Sequence, residues 1–245
     1  MRLTSTIAAL LMTTTSVFAQ GLTDAERTDF RAEVRAYLLE NPEVLMEAIA
    51  VLESRQAEAE TTRDERLATL NADALVNDGF SYEGGNLDGD ITIVEFIDYR
   101  CSFCRRAHPE VAELISSDGN IRIITKEFPI LGEQSVLASQ FAVATKIVAG
   151  DAAYKQVSDA LMNLRSDVTP ASLSSLASAF DLDTDAIFAE MESPAVQQVL
   201  ANNRALGERM QISGTPTFVF GDQMVRGYVD LTQMRAMVEA ERADG

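Results

Sequence analysis

The chain has 245 residues, enough for one or two domains with a sizeable core. Apolar residues make up 47% and charged residues 24%, the balance of a folded globular protein, and 38 acidic against 20 basic side chains give a net charge of −18. Such a surface repels phosphate backbones and anionic lipid, which argues against nucleic-acid and general membrane-surface binding. Two cysteines and one histidine exclude a zinc finger, a multi-disulfide scaffold and a C-x-x-C-H haem site.

Residues 1–19 read as a secretory signal peptide. Arg2 is the positive start, Ile7 to Met12 the apolar stretch, and Val17-Phe18-Ala19 the cleavage site before Gln20. The apolar run is too short to cross a bilayer of about 30 Å. Export would carry the chain to the periplasm, where disulfides persist. Residues 20–78 read as a helical extension. Thr23 and Glu26 form a capping-box pattern before Phe30, Val34 and Leu38, and Asn41-Pro42 restarts a helix with Asn as cap. Leu45, Ile49 and Leu52 continue an apolar stripe, but Arg55 to Glu65 is almost wholly polar. A helix with so narrow a stripe is either a solvated stalk or one member of a homo-oligomer, and assembly through residues 20–78 is the expectation.

Gly84 to Asp90 reads as a turn-rich boundary opening a domain over residues 79–245. Ile91 to Ile97 has the β-branched character of a buried strand, Cys101 to Ser116 is helical, and Ile121 to Phe128 is a second strand. That order is a βαβ unit and predicts a parallel pair. Residues 132–213 read as a helical block, with Pro170 and Pro194 at helix starts. Strands return at Thr217–Phe220 and Met224–Arg226, and a helix through Leu231, Met234 and Val238 closes the chain. The expected class is α/β: a small sheet with an inserted helical subdomain, preceded by a helical extension.

The chemistry centres on Cys101-Ser102-Phe103-Cys104, which follows a buried strand and opens a helix. The first sulfur then lies at a helix N-terminus, where unpaired N–H groups and the helix dipole favour a thiolate. Arg100, Arg105 and Arg106 add positive charge. The three-residue spacing brings Cys104 under Cys101, so Cys104 can resolve a mixed disulfide formed there. Two other uses of the pair stay open. A structural bridge would close too short a loop to stabilise much. A metal site is short of ligands for structural zinc, even counting His108, though two thiolates suffice for Cu(I), so metal delivery is the alternative function. His108 reads as a helix-surface residue, and no organic cofactor is implied.

Phe96 to Cys104, then Pro109, then Gly214-Thr215-Pro216-Thr217-Phe218 resembles the DsbA-like branch of the thioredoxin superfamily. The helical block between the sheet halves is similar to that branch, and the leader with its Thr-Pro pair to the ScsC-like and Com1-like subgroup. The resemblance implies a thioredoxin fold and an exported thiol–disulfide oxidoreductase. It makes Cys101 the attacking sulfur, Cys104 the buried resolving one, and Pro216 a cis-proline packed against the pair. Thr215 would offer its backbone to an extended client strand. Pro109 would kink the active-site helix. Glu95 matches the family's buried carboxylate, a relay for the Cys104 proton; it shares a strand face with Ile91 and Ile93, and Lys126 is its expected partner. The resemblance also implies unfolded or misbridged secreted proteins as substrates and a membrane redox partner. Ser102-Phe103 departs from the Pro-His of the best-known oxidases, which removes one thiolate-stabilising group.

Overall fold

Five strands form one sheet in the order β1-β3-β2-β4-β5 in the computed structural model, which describes residues 23–244. They are β1 (Tyr82–Gly85), β2 (Ile91–Ile97), β3 (Ile121–Glu127), β4 (Thr217–Phe220) and β5 (Gln223–Arg226). The pair β2–β3 is parallel, as its helical crossover requires, and every other pair is antiparallel. The expected signal peptide lies outside the described residues. The chain divides into two compact units, one ending at Gln56 and one running from Ala57 onward.

The first unit holds α1 (Asp24–Glu40) and the first part of α2 (Glu43–Leu70). Thr23 and Glu26 do close a capping box, which satisfies free N–H groups at the start of α1. Asn41 departs from the expected role. It ends α1, and its side-chain amide donates back to the Tyr37 carbonyl at 3.0 Å instead of capping the next helix. No residue of α1 is buried, and Phe30, Tyr37, Leu45, Ile49 and Leu52 are all exposed.

In the second unit, the end of α2 and α3 (Ala72–Val76) place Ala68 and Leu75 against the sheet with Val94, Phe96, Ile124 and Val219. Arg226 Nη2 pairs with Asp64 Oδ1 at 2.9 Å and ties that stretch of α2 to β5. The opposite sheet face carries Ile91, Ile93, Ile121, Ile123, Phe218 and Phe220 under α4 (Ser102–Asp118) and α9 (Leu231–Asp244). With both faces covered, β2 is apolar at nearly every position.

Gly84 and Gly85 are not turn residues; they finish the edge strand β1, and the turn proper is Asn86 to Gly89. Gly85 has φ +71°, and a Cβ there would stand 2.3 Å from the Ile121 carbonyl oxygen, so the close strand approach requires glycine.

Between β3 and β4 run α5 (Glu133–Asn163), α6 (Pro170–Ala179), α7 (Thr184–Met191) and α8 (Pro194–Arg209). Pro170 and Pro194 each stand in the first turn, where a missing N–H costs nothing. Gly150 (φ 84°, ψ −178°) breaks α5 in two. By length and composition α5 is apolar enough to cross a membrane. It instead buries Phe141, Tyr154, Val157 and Leu161 in a core shared with α6, α7 and α8, as a core helix does.

Candidate active site

Strand register brings the site together. Glu95 pairs with Phe218 and Phe96 with Thr217 in the antiparallel β2–β4 ladder, so the exit of β2 lies beside the entry of β4. The exit leads through Asp98-Tyr99-Arg100 to Cys101, and the entry is preceded by Thr215 and Pro216. Cys101 and Thr215 are 114 positions apart, yet Cys101 Sγ lies 3.1 Å from the Thr215 carbonyl oxygen. The Thr215–Pro216 peptide is cis.

Cys101 is the N-cap of α4 and is 7% exposed; Cys104 is fully buried one turn on, and both are free thiols. The two sulfurs have opposite acidities. The Cys101 thiol is lowered to about 5, chiefly by a hydrogen bond from the Cys104 thiol; burial opposes this, and Thr215 and the N–H groups of Cys104 and Phe103 assist it. The Cys104 thiol is pushed up by the same bond and by its burial. The neighbouring arginines are not among the leading causes, so the thiolate owes its stability to the second cysteine and the helix end. Ser102-Phe103 therefore gives a low thiol pKa without a histidine. The Thr215 hydroxyl is buried without a hydrogen-bond partner among the described residues, which leaves its proton to turn toward the ionised sulfur.

Pro109 lies inside α4 and deprives Arg105 of one backbone hydrogen bond, but the helix runs on to Asp118. Glu95 is buried at 5% exposure and faces a small, partly open cavity of about 50 Å³, which His108, Tyr82, Tyr154 and Lys155 also line. Burial raises its carboxyl to about 7, and the nearby His108 pulls the other way. The expected Glu95–Lys126 pair does not form. In the β2–β3 register Glu95 stands opposite Thr125 and Phe96 opposite Lys126, so Lys126 lies on the other sheet face and bonds Asp78 Oδ2 at 2.5 Å. His108 is not a bare surface residue either: its Nε2 sits 2.8 Å from Asp159 Oδ1, and its side chain is 22% exposed. Among the described residues no group of three or more His, Cys, Asp or Glu side chains is placed to hold a metal ion.

Two carboxylates escaped the sequence reading. Asp98, fully buried, accepts the N–H of Arg100 (2.8 Å), Ile130 (2.8 Å) and Leu131 (3.0 Å), and so fastens the Cys101 loop to the segment after β3. It stood in the quoted motif, but nothing local shows that its partners lie 32 and 33 positions away. Asp98→Asn turns one acceptor oxygen into a donor facing an N–H. It should cost about 2 kcal/mol, measured as a lower urea midpoint with an unchanged slope. Glu127, opposite Ile97 at the end of β3, accepts hydroxyls from Tyr99 (2.7 Å), Tyr154 (2.6 Å) and Ser139 (2.7 Å). The period-2 alternation from Ile121 and Ile123 could have flagged it as inward-facing.

Comparison with known proteins agrees with this geometry. Residues 92–239 match the DSBA-like thioredoxin domain family, and residues 26–59 match the copper resistance protein ScsC N-terminal domain. A thioredoxin-like oxidoreductase from Silicibacter pomeroyi is 36% identical with a TM-score of 0.66, covering 71% of this chain and 98% of its own. Proteus mirabilis ScsC in a transitional conformation is 29% identical with a TM-score of 0.66, covering 91% of this chain and 98% of its own. A Na(+)/H(+) antiporter, NhaA 3 of Salinispora tropica, is 26% identical over 154 residues, 63% of this chain; the match spans only 24% of the antiporter's length. The paired thiols of opposite acidity, the cis-proline beside them and the match over most of the chain lead to one conclusion: this chain belongs to the DSBA-like thioredoxin domain family of thiol–disulfide oxidoreductases.

Proposed function

We propose that this oxidoreductase is exported to the periplasm and makes or rearranges disulfides in unfolded or misbridged secreted proteins. The carrying observation is the acidity split: Cys101 near 5 is ionised at neutral pH, while Cys104 is buried and held protonated. The Cys101 thiolate attacks or is attacked, a mixed disulfide forms, and Cys104 releases it. Thr215, beside Cys101 and next to the cis peptide, offers backbone to an extended client strand, and Pro216 shapes that edge. Cys104 must lose its proton before it attacks, and Glu95, raised to about 7 and open to a cavity, serves as the acceptor. A membrane redox partner then restores the pair. Cu(I) delivery with the same cysteines is less well supported, because a thiol pair tuned in opposite directions serves exchange and not joint ligation.

Reduction of insulin by dithiothreitol tests the reading. The protein should accelerate precipitation several-fold, and Cys101→Ala should abolish the acceleration. No acceleration by the intact protein, together with tight Cu(I) binding, would favour the metal reading. Refolding of scrambled ribonuclease beside oxidation of a reduced peptide separates isomerase from oxidase.

The exposed apolar side chains of α1 and early α2 support assembly of protomers through the leader, so that several active sites face one client. Light scattering should show an oligomer that becomes a monomer when residues 20–56 are removed. The cut stops at 56 because Ala68 and Leu75 belong to the core of the second unit. A monomer with and without those residues would reject assembly.

A further inference from the structure

Arginine gathers beside the reactive sulfur in a chain whose net charge is −18. Arg105, one turn into α4, donates from Nε to the Tyr99 carbonyl at 2.7 Å, which fixes its guanidinium next to the Cys101 loop. Its Nη2 is buried and has no hydrogen-bond partner among the described residues. Arg100 donates from Nη1 to the Ser166 carbonyl at 3.1 Å, and that bond draws the segment after α5, with Arg165, to the same place. Burial and the like charges of Arg100 and Arg165 hold the Arg105 guanidinium below its ordinary pKa, so the three cations stand close enough to repel. Two carboxylates lie near. Asp98 is committed to three backbone N–H groups, and Asp167 is exposed and 3.8 Å from Arg100 Nη2. Arg106 is occupied elsewhere, stacked 4.3 Å over the Tyr228 ring.

These cations are not among the leading causes of the Cys101 thiolate. The thiolate partly offsets Arg105, but that charge disappears when the sulfur enters a mixed disulfide. The cluster is then left net positive at the stage when a client is covalently bound. We propose that Arg100, Arg105 and Arg165 form a docking site for carboxylate side chains of the client, so that the protein prefers acidic segments next to the cysteine under exchange. This rests on the oxidoreductase reading and names the substrate class it favours. Opposite charge there raises encounter and favours the docked register, and salt screens both effects.

The test uses the reduced protein and three peptides, each closed by an intramolecular disulfide and identical except for Asp, Ser or Lys on both sides of the first cysteine. Cys101 Sγ bonds to one peptide sulfur as the peptide S–S bond breaks. Cys104 Sγ then bonds to Cys101 Sγ and expels that peptide sulfur as a thiolate. The protein dithiol is oxidised and the peptide disulfide is reduced; the Cys104 proton and one proton from water end on the two peptide thiols. Rates are read by acid quench and alkylation, each divided by the rate with dithiothreitol to remove the peptide's intrinsic reactivity.

At about 20 mM salt the Asp peptide should react about fivefold faster than the Ser peptide, and the Lys peptide slower than either; at about 0.5 M the three should fall within about twofold. A protein carrying Arg100→Gln and Arg165→Gln should lose most of the Asp-to-Ser ratio. Arg235→Gln, at a residue that donates to Ser117 Oγ at the far end of α4, should keep it. Equal normalised rates for the Asp and Lys peptides at low salt, with every peptide reduced, would overturn the docking site alone. If no peptide is reduced, the oxidoreductase reading itself fails and takes the docking site with it.

Discussion

At pH 6, iodoacetamide should modify Cys101 and leave Cys104 untouched. With its thiol lowered to about 5, Cys101 is roughly 90% thiolate at that pH, against about 0.3% for an unperturbed cysteine. Intrinsic nucleophilicity falls with basicity, by about 1.6 log units for a 3.5-unit drop, so the net gain is about tenfold. The same argument reverses the order at higher pH. Above about pH 7 a free cysteine should overtake Cys101, whose rate is flat from pH 6 upward. A rate at Cys101 that climbs through pH 8 would show an ordinary thiol there. The leading cause of the low value is the bond from Cys104, so Cys104→Ala should move the Cys101 midpoint upward in the same titration. That variant also lacks the sulfur proposed to resolve the mixed disulfide. Its mixed disulfide with a client peptide should persist at least roughly a thousandfold longer than in the intact protein, read by non-reducing electrophoresis.

With Cys101 and Cys104 joined in a disulfide, so that the acidic Cys101 thiol no longer titrates, stability should fall as pH rises from about 4.5 to 8. Burial raises the carboxyls of both Glu95 and Glu127 to about 7, above the value of about 4.3 in an unfolded chain. In that window the folded state holds protons that the unfolded state releases, so unfolding becomes easier as pH rises. The contribution is whole below about pH 4.3, decays toward 7 and is gone above it. Each group accounts for at most about 4 kcal/mol. Glu127→Gln should remove its share of this slope and keep an acceptor for Tyr99 and Tyr154. Glu127→Leu instead strands the buried hydroxyls of Tyr154 and Ser139, while Tyr99 keeps Ser158 Oγ at 3.1 Å, and should cost on the order of 3 kcal/mol at every pH. Urea unfolding at pH 5 and pH 8 distinguishes the two variants. The consequence for function is positional. Glu127 ties Tyr99, two residues before Cys101, to Ser139 and Tyr154 on α5, so its loss loosens the floor beneath the reactive loop. A flat stability between pH 5 and pH 8 in the unmutated protein with its disulfide closed would show that neither carboxylate carries a raised pKa.

What the amino-acid order determined by itself was most of what depends on neighbours along the chain, the cap at Asn41 and the turn at Gly84-Gly85 excepted. The strand–helix–strand order around Cys101, the proline-led helices of the inserted block and the capping box at Thr23 follow from periodicity and from local N–H groups that need partners. The C-x-x-C pair and its place at a helix start were legible for the same reason. Partnerships across the sheet needed the tertiary structure. Lys126 was one position out of phase with Glu95, and a single step of register sends a side chain to the opposite face. Asp98 and Glu127 looked like ordinary polar residues because their donors come from segments folded back over them. Arg165 joined the active-site arginines only because the chain after α5 returns to Arg100. The acidity of Cys101 was expected from the helix end and the arginines. The folded chain assigns it first to Cys104, because a hydrogen bond between buried groups outweighs charges exposed to water.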